Sequence, residues 1–208
     1  MKANPCYCET MRERVPGNPW KAYFAKTKER GPRPLLMMAV PYVARRDRAL
    51  DLGSGVLNDT RYLLQEGFEH VTAVDREAVA RDVARTLSPR RFIFSRSSFE
   101  DYGFPGNKFD LVTAQYSLPF IQATNFKTVF TKIKRSLVVD GVFTGQLFGD
   151  RDEWNGPPRT LTFLPRQEVV CLLADMEILE LAEEEGDYPT VTSKQLKHWH
   201  LFHFIAKK

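Results

Sequence analysis

The chain has 208 residues and a formal net charge of +4, with 43% hydrophobic, 27% charged and 12% aromatic side chains. That size suits one domain with a core of its own, and that balance excludes disordered and fibrous chains. Lys and Arg are dispersed among acids, as in Arg81-Asp82 and Arg151-Asp152-Glu153, which fits a solvated surface and argues against a nucleic-acid footprint. No apolar run approaches the roughly 20 residues that span a bilayer, and Met1–Thr10 carry no apolar signal core, so a cytoplasmic protein is expected. Of the three cysteines, Cys6, Cys8 and Cys171, none has a partner pair, so reduced thiols and no metal site are expected.

Residues 1–19 are rich in Pro, Gly and polar groups and read as an irregular leader. Trp20–Lys28 has Trp20, Tyr23, Phe24 and Thr27 at helical spacing. Leu35–Arg45 is a second helical stretch behind Pro34. Residues 1–46 thus form a leader with capping helices ahead of one compact domain over 47–208. An alternation then begins. Strands are predicted at 48–52, 70–74, 91–95, 109–114 and 142–148, with helices at 59–67, 77–87 and 125–137 between them. Ser88-Pro89 ends the second of these helices, and Asp140-Gly141 reads as a turn. Strands separated by helices of about ten residues argue for a parallel sheet. The tail differs: a helix at 166–175 leads to a strand at 177–181, a loop through Gly186 and Pro189, and a strand at 198–206. Two consecutive strands joined by a loop pair antiparallel. The expectation is an α/β fold with a seven-stranded, mostly parallel sheet, an antiparallel C-terminal strand and helices on both faces.

Ligands of such sheets sit at the carboxyl ends of the strands, so the first strand-to-helix turn is the place to look. It reads Asp51-Leu52-Gly53-Ser54-Gly55-Val56-Leu57-Asn58. The glycines permit a tight turn and a close ligand approach, and the next helix offers its N-terminal amides. A dinucleotide fingerprint needs a third glycine where Asn58 stands, and it has no acid at the position of Asp51. A carboxylate there repels a pyrophosphate but suits an ammonium or a sulfonium, or holds the loop through backbone amides. Asp75, about twenty residues on at the end of the second strand, can accept ribose hydroxyls.

On these residues the chain resembles the class I S-adenosylmethionine-dependent methyltransferases with a Rossmann-like sheet, most of all the small-molecule, tellurite-resistance-like branch. The resemblance covers residues 47–208. It implies S-adenosylmethionine as cofactor, held by Asp51, Gly53, Ser54, Gly55, Asn58, Asp75, Arg76, Ser98, Phe99 and Gln115. The family's usual third glycine falls at Leu57 and its adenine-contacting acid at Ser98. The strand end after Phe109–Ala114 implicates Gln115 and Tyr116 next to the transferred methyl. The segment Gln115-Tyr116-Ser117-Leu118-Pro119-Phe120 lacks the Asn/Asp-Pro-Pro-aromatic signature of nucleobase-amine methyltransferases, which favours a small-molecule acceptor.

Methyl transfer is an in-line displacement, so holding the nucleophile aligned and dry supplies much of the rate, and a base is needed only when the acceptor must lose a proton. Strand alternation puts His198 and His200 on one face and His203 on the other, near Glu183-Glu184-Glu185. His200, or else His198, is the candidate base, set against a plain solvated acidic run with surface histidines and against a metal site on the same residues. Trp20, Tyr23 and Phe24 can form a lid, Arg33 can meet the cofactor's carboxylate, and Trp154 and Arg159 can line an acceptor pocket. Two other functions compete: a non-catalytic binding or scaffold domain, and a nicotinamide-dependent oxidoreductase.

Overall fold

The computed structural model describes residues 19–87, 90–157 and 160–208. The expectations for the leader with Cys6 and Cys8, for Ser88-Pro89 and for Arg159 lie outside the described residues. In chain order the elements are α1 (Pro19–Thr27), α2 (Pro34–Ala39), β1 (Arg48–Leu52), α3 (Asn58–Gln65), β2 (His70–Asp75), α4 (Ala78–Ala84), β3 (Phe92–Arg96), β4 (Phe109–Ala114), α5 (Ala123–Ser136), β5 (Leu137–Gly149), β6 (Phe163–Leu164), α6 (Arg166–Leu173), β7 (Glu177–Pro189) and β8 (Leu196–Lys207). One sheet has the order β3-β2-β1-β4-β5-β8-β7, with the two-residue β6 paired to β5 off that path. β1 to β5 run parallel, and β8 runs antiparallel to both β5 and β7.

Two layers of helix cover this sheet. α5 carries Phe126, Val129, Phe130 and Ile133 on one stripe, and these pack with Phe143 and Leu147 of β5 and Phe202 and Phe204 of β8. On the opposite face, Leu36 and Ala39 of α2, Val40, Val43 and Leu63 of α3 pack with Ala49, Leu111, Val142 and Ile205. β1 therefore alternates. Leu50 and Leu52 enter the first layer, while Ala49 enters the second and Asp51 points to α3.

Three elements differ from expectation. α2 stops at Ala39 and continues only as a 3-10 turn, Val40–Tyr42. Pro41 explains this, because it has no amide to donate and crowds the residue before it. Asp140-Gly141 is a bulge inside β5 rather than a turn before it: the register with β4 shifts there, and Asp140 has φ +63°. A Cβ on Gly141 would lie 3.0 Å from the Phe109 and Val138 carbonyls. β7 runs on through Glu183-Glu184-Glu185 and Gly186 to Pro189. It is the outer strand of the sheet, so its charged residues are the usual dress of an edge.

Beyond β5, residues 150–157 are pinned to β8 by a buried ion pair. Lys197 Nζ meets Asp152 Oδ1 at 2.5 Å, with side chains 2% and 0% exposed. Asp152 also accepts the Trp154 and His200 amides. The Lys197 ammonium lies 3.7 Å from the Trp199 ring centroid and 4.5 Å from that of Trp154. Burial lowers its pKa while Asp152 holds it up. Lys197→Met leaves the Asp152 charge unpaired inside the protein. We expect a loss of about 3–5 kcal/mol in urea denaturation, with partial recovery when Asp152→Asn is added.

Candidate functional site

The turn after β1 is held by its neighbours. The Gly53 and Ser54 amides donate to the Val74 carbonyl at 2.8 and 3.2 Å. Gly53 and Gly55 have φ of +74° and +51°, the left-handed region where glycine carries no strain. Leu57, where the third family glycine would stand, has φ +65° as well and is fully buried. It keeps the backbone path while its side chain packs with Ala73, Ala84 and Phe92.

Three carboxylates surround this turn. Asp51 is 2% exposed and accepts the Thr60 hydroxyl of α3 at 2.6 Å. It reaches α3 through a side chain, not the loop through backbone amides. Asp75 does the latter, accepting the Gly55 amide on one oxygen and the Glu77 amide on the other, both at 2.8 Å. Each oxygen keeps a further acceptor position. Asp59 accepts the Arg33 amide at 2.8 Å. Burial, then the charge of Asp59, pushes the Asp51 carboxyl up to about 8, with Asp75 adding to the rise. Asp59 and Asp75 are raised too, burial again first.

α1 lies over the turn. A Cβ on Gly55 would stand 3.2 Å from the Phe24 ring, and one on Gly53 would stand 2.4 Å from Ser117 Cβ and 3.5 Å from Phe99 Cζ. Asn58 Nδ2 donates to the Thr27 carbonyl at 2.8 Å and so ties α1 to α3. Trp20 meets Phe120 edge-on at 4.9 Å. Arg33 Nη2 donates to the Tyr23 hydroxyl at 2.6 Å, and its guanidinium lies 4.5 Å over the Tyr116 ring. Among the described residues, two buried atoms here have no hydrogen-bond partner: Ser54 Oγ and Arg30 Nη1.

The other expected residues divide. The Phe99 ring lies against Gly53, 3.5 Å from where a Cβ would stand. Ser98 Oγ donates to Asp101 Oδ2 at 2.7 Å, so an acid does occupy this stretch, three residues later. Arg76 is exposed beside Glu77, 3.5 Å away. Gln115 is locked behind the strand end: its amide donates to Thr113 and its carbonyl accepts from Gln146, each at 3.0 Å. Tyr116, at φ +54°, is the residue this turn presents, and its amide donates to Gln146 Oε1 at 2.8 Å. Burial raises its hydroxyl pKa, and Arg33 opposes the rise.

His200 is fully buried, and both ring nitrogens are engaged. Nδ1 accepts the Arg151 amide at 3.1 Å and Nε2 meets Glu183 Oε1 at 2.9 Å. A Cβ on Gly149 would fall 2.0 Å from His200 Nδ1, so the imidazole fills the space that glycine leaves. Arg151 binds Glu183 and Glu185 at 2.8 and 2.7 Å, closing the acid–histidine group as an ion-pair cluster. Trp154 packs into the Lys197 aromatic group, 5.3 Å from Trp199. Sequence reasoning missed Thr60, Gln146, Asp59 and Arg30. Each acquires its place only through tertiary contact, and none carries a local signature.

A hollow of about 390 Å³ lies at the other end of the sheet, lined by Val43, Arg45, Asp110 and Val138–Asp140. It does not reach the glycine turn. No described helix is long and apolar enough to cross a membrane.

Asp51 holds its proton more tightly folded than unfolded. Stability therefore falls as pH rises from about 4, its ordinary value, to about 8, and levels off above. We expect Asp51→Asn to flatten that fall, read as the change in melting temperature between pH 5 and pH 8.5; an unchanged slope would refute the assignment.

Residues 50–144 match the family profile described as a methyltransferase domain. No curated protein matches. Among solved structures, the chain is similar to 1,6-didemethyltoxoflavin-N1-methyltransferase of Burkholderia thailandensis, solved with 1,6-didemethyltoxoflavin and S-adenosylhomocysteine. The two share 20% identity over 100% of this chain and 93% of that one, with a TM-score of 0.68. TehB of Haemophilus influenzae shares 18% identity over 91% of this chain and 67% of that one, with a TM-score of 0.72. The [4+2]-cyclase SpnF shares 18% identity over 84% and 79%, with a TM-score of 0.60. These likenesses establish the fold.

Proposed function

We propose that this chain is a methyltransferase that binds S-adenosylmethionine at the glycine turn and transfers its methyl group to a small molecule. One observation carries the reading: three carboxyls, Asp51, Asp59 and Asp75, crowd a left-handed glycine turn, and Asp75 holds the Gly55 amide with acceptor positions to spare. Such a turn favours a cation. It disfavours the pyrophosphate of a nicotinamide dinucleotide, which brings negative charge into the same space. The partnerless Ser54 Oγ and Arg30 Nη1 fit the polar methionine end of the cofactor, with Arg33 near Tyr116. The resemblance between this fold and an enzyme solved with S-adenosylhomocysteine supports the same reading.

The bound cofactor supplies an electrophilic methyl on a positive sulfur. The chain's part is to place it. Asp75 offers its remaining acceptor positions to the ribose, Asp51 offers charge to the cationic end, and Phe24, Trp20 and Tyr23 close over the turn and keep water out. Tyr116, under Arg33, faces the place where an acceptor would sit. A scaffold is the second reading, favoured by Phe24 and Ser117 already lying on the two glycines.

Calorimetry separates these readings. S-adenosylmethionine and S-adenosylhomocysteine are expected to bind and NAD is not. Asp75→Ala is expected to weaken binding on the order of tenfold or more, the worth of a charge-assisted hydrogen bond. A cation must displace the Asp51 proton, so affinity should rise with pH to about 8 and then level, and Asp51→Asn should remove that rise. Binding of NAD alone would sink the proposal, and binding of none of the three would favour the scaffold.

A further inference from the structure

The three histidines of β8 are not equivalent. His198 meets Asp187 through Nδ1 at 2.8 Å and Glu185 through Nε2 at 3.2 Å. His200 is likewise held at both nitrogens. His203 lies on the opposite face of the strand, the face of Ile205, which packs with α2. Its Nε2 meets Glu184 Oε2 at 2.9 Å. Among the described residues, its Nδ1 has no hydrogen-bond partner.

This ring stands where the site is. His203 pairs with Gln146 across β5 and β8, and Gln146 holds the Tyr116 amide. The His203 and Tyr116 rings meet edge-on at 6.4 Å. Tyr116 in turn lies under Arg33. The His203 side chain is 17% exposed and that of Glu184 44%. A carboxylate on Nε2 fixes the tautomer with hydrogen on that nitrogen and leaves Nδ1 a lone pair, the arrangement that equips a histidine to take a proton.

We propose that His203, oriented by Glu184, accepts the acceptor's proton, so that the acceptor's attacking oxygen or nitrogen carries a hydrogen. This rests on the methyl-transfer reading. The acceptor's lone pair forms the new bond to the methyl carbon as the carbon–sulfur bond breaks and its electron pair returns to sulfur. The hydrogen leaves the acceptor as a proton on His203 Nδ1, and the Glu184 carboxylate offsets the imidazolium charge until solvent takes the proton.

Nitrogen-resolved NMR tests the ring directly, in the free protein and with S-adenosylmethionine. The expected signature is hydrogen on Nε2 and a bare Nδ1 at pH 8, with Glu184→Gln mixing the two tautomers. An Nδ1–H ring, or no effect of Glu184→Gln, would overturn the assignment. Turnover is then compared for 4-methylumbelliferone and aniline, whose attacking atoms carry the hydrogen, and for iodide, which has none. For His203→Asn, the ratio of turnover on the first two to that on iodide should fall on the order of 10²-fold or more. An unchanged ratio, or iodide as the sole probe methylated by the wild type, would overturn the inference and leave methyl transfer standing. No cofactor binding by the wild type, or no turnover of any probe, would overturn both.

Discussion

A buried carboxyl beside β1 is the constraint around which this end of the molecule is organised. Asp51 sits in the sheet with 2% exposure, answered by a Thr60 hydroxyl rather than by a cation. That bond fixes α3 against β1, and α3 then carries Asp59, which takes the Arg33 amide, and Asn58, which takes the end of α1. Turn, lid helix and arginine are thus positioned through one chain of contacts.

Much of the sheet could be read from the sequence because its central strands are buried on both faces. Phe109–Ala114 is buried throughout, and the amphipathic α5 separates it from β5. The edge was less legible. β7 is charged along its length, and a solvated outer strand has the composition of a loop. Pro41 and Asp140-Gly141 show the same difficulty at residue scale: a punctuating residue can end an element or bend it, and only the neighbouring strand decides.

The site divides in a similar way. The glycine turn and Asp75 were legible because spacing along one strand–turn–helix unit determines them. The surroundings of Tyr116 were not, because Tyr23, Arg33, Gln146, Glu184 and His203 come from separate elements. His200 looked available since histidines on a strand near acids commonly reach solvent. Gly149 and Arg151 bury it. His203, three residues on, falls on the other face by simple alternation, yet nothing in sequence says that Tyr116 waits there. Leu57 is a milder case. A leucine stands where the family has a glycine, and the left-handed backbone is retained at a cost of about 1–2 kcal/mol, set against full burial of the side chain.

The tryptophans have an optical consequence. Trp154 and Trp199 face each other across 5.3 Å with the Lys197 ammonium against both, a fixed pair remote from the glycine turn in sequence and held by a buried salt bridge. The third, Trp20, packs on α1 among Tyr23, Phe24 and Phe120. The protein therefore carries an internal reference and an internal probe for emission spectroscopy. The paired indoles report whether the domain is intact, and the lone one reports where α1 lies, with no label attached.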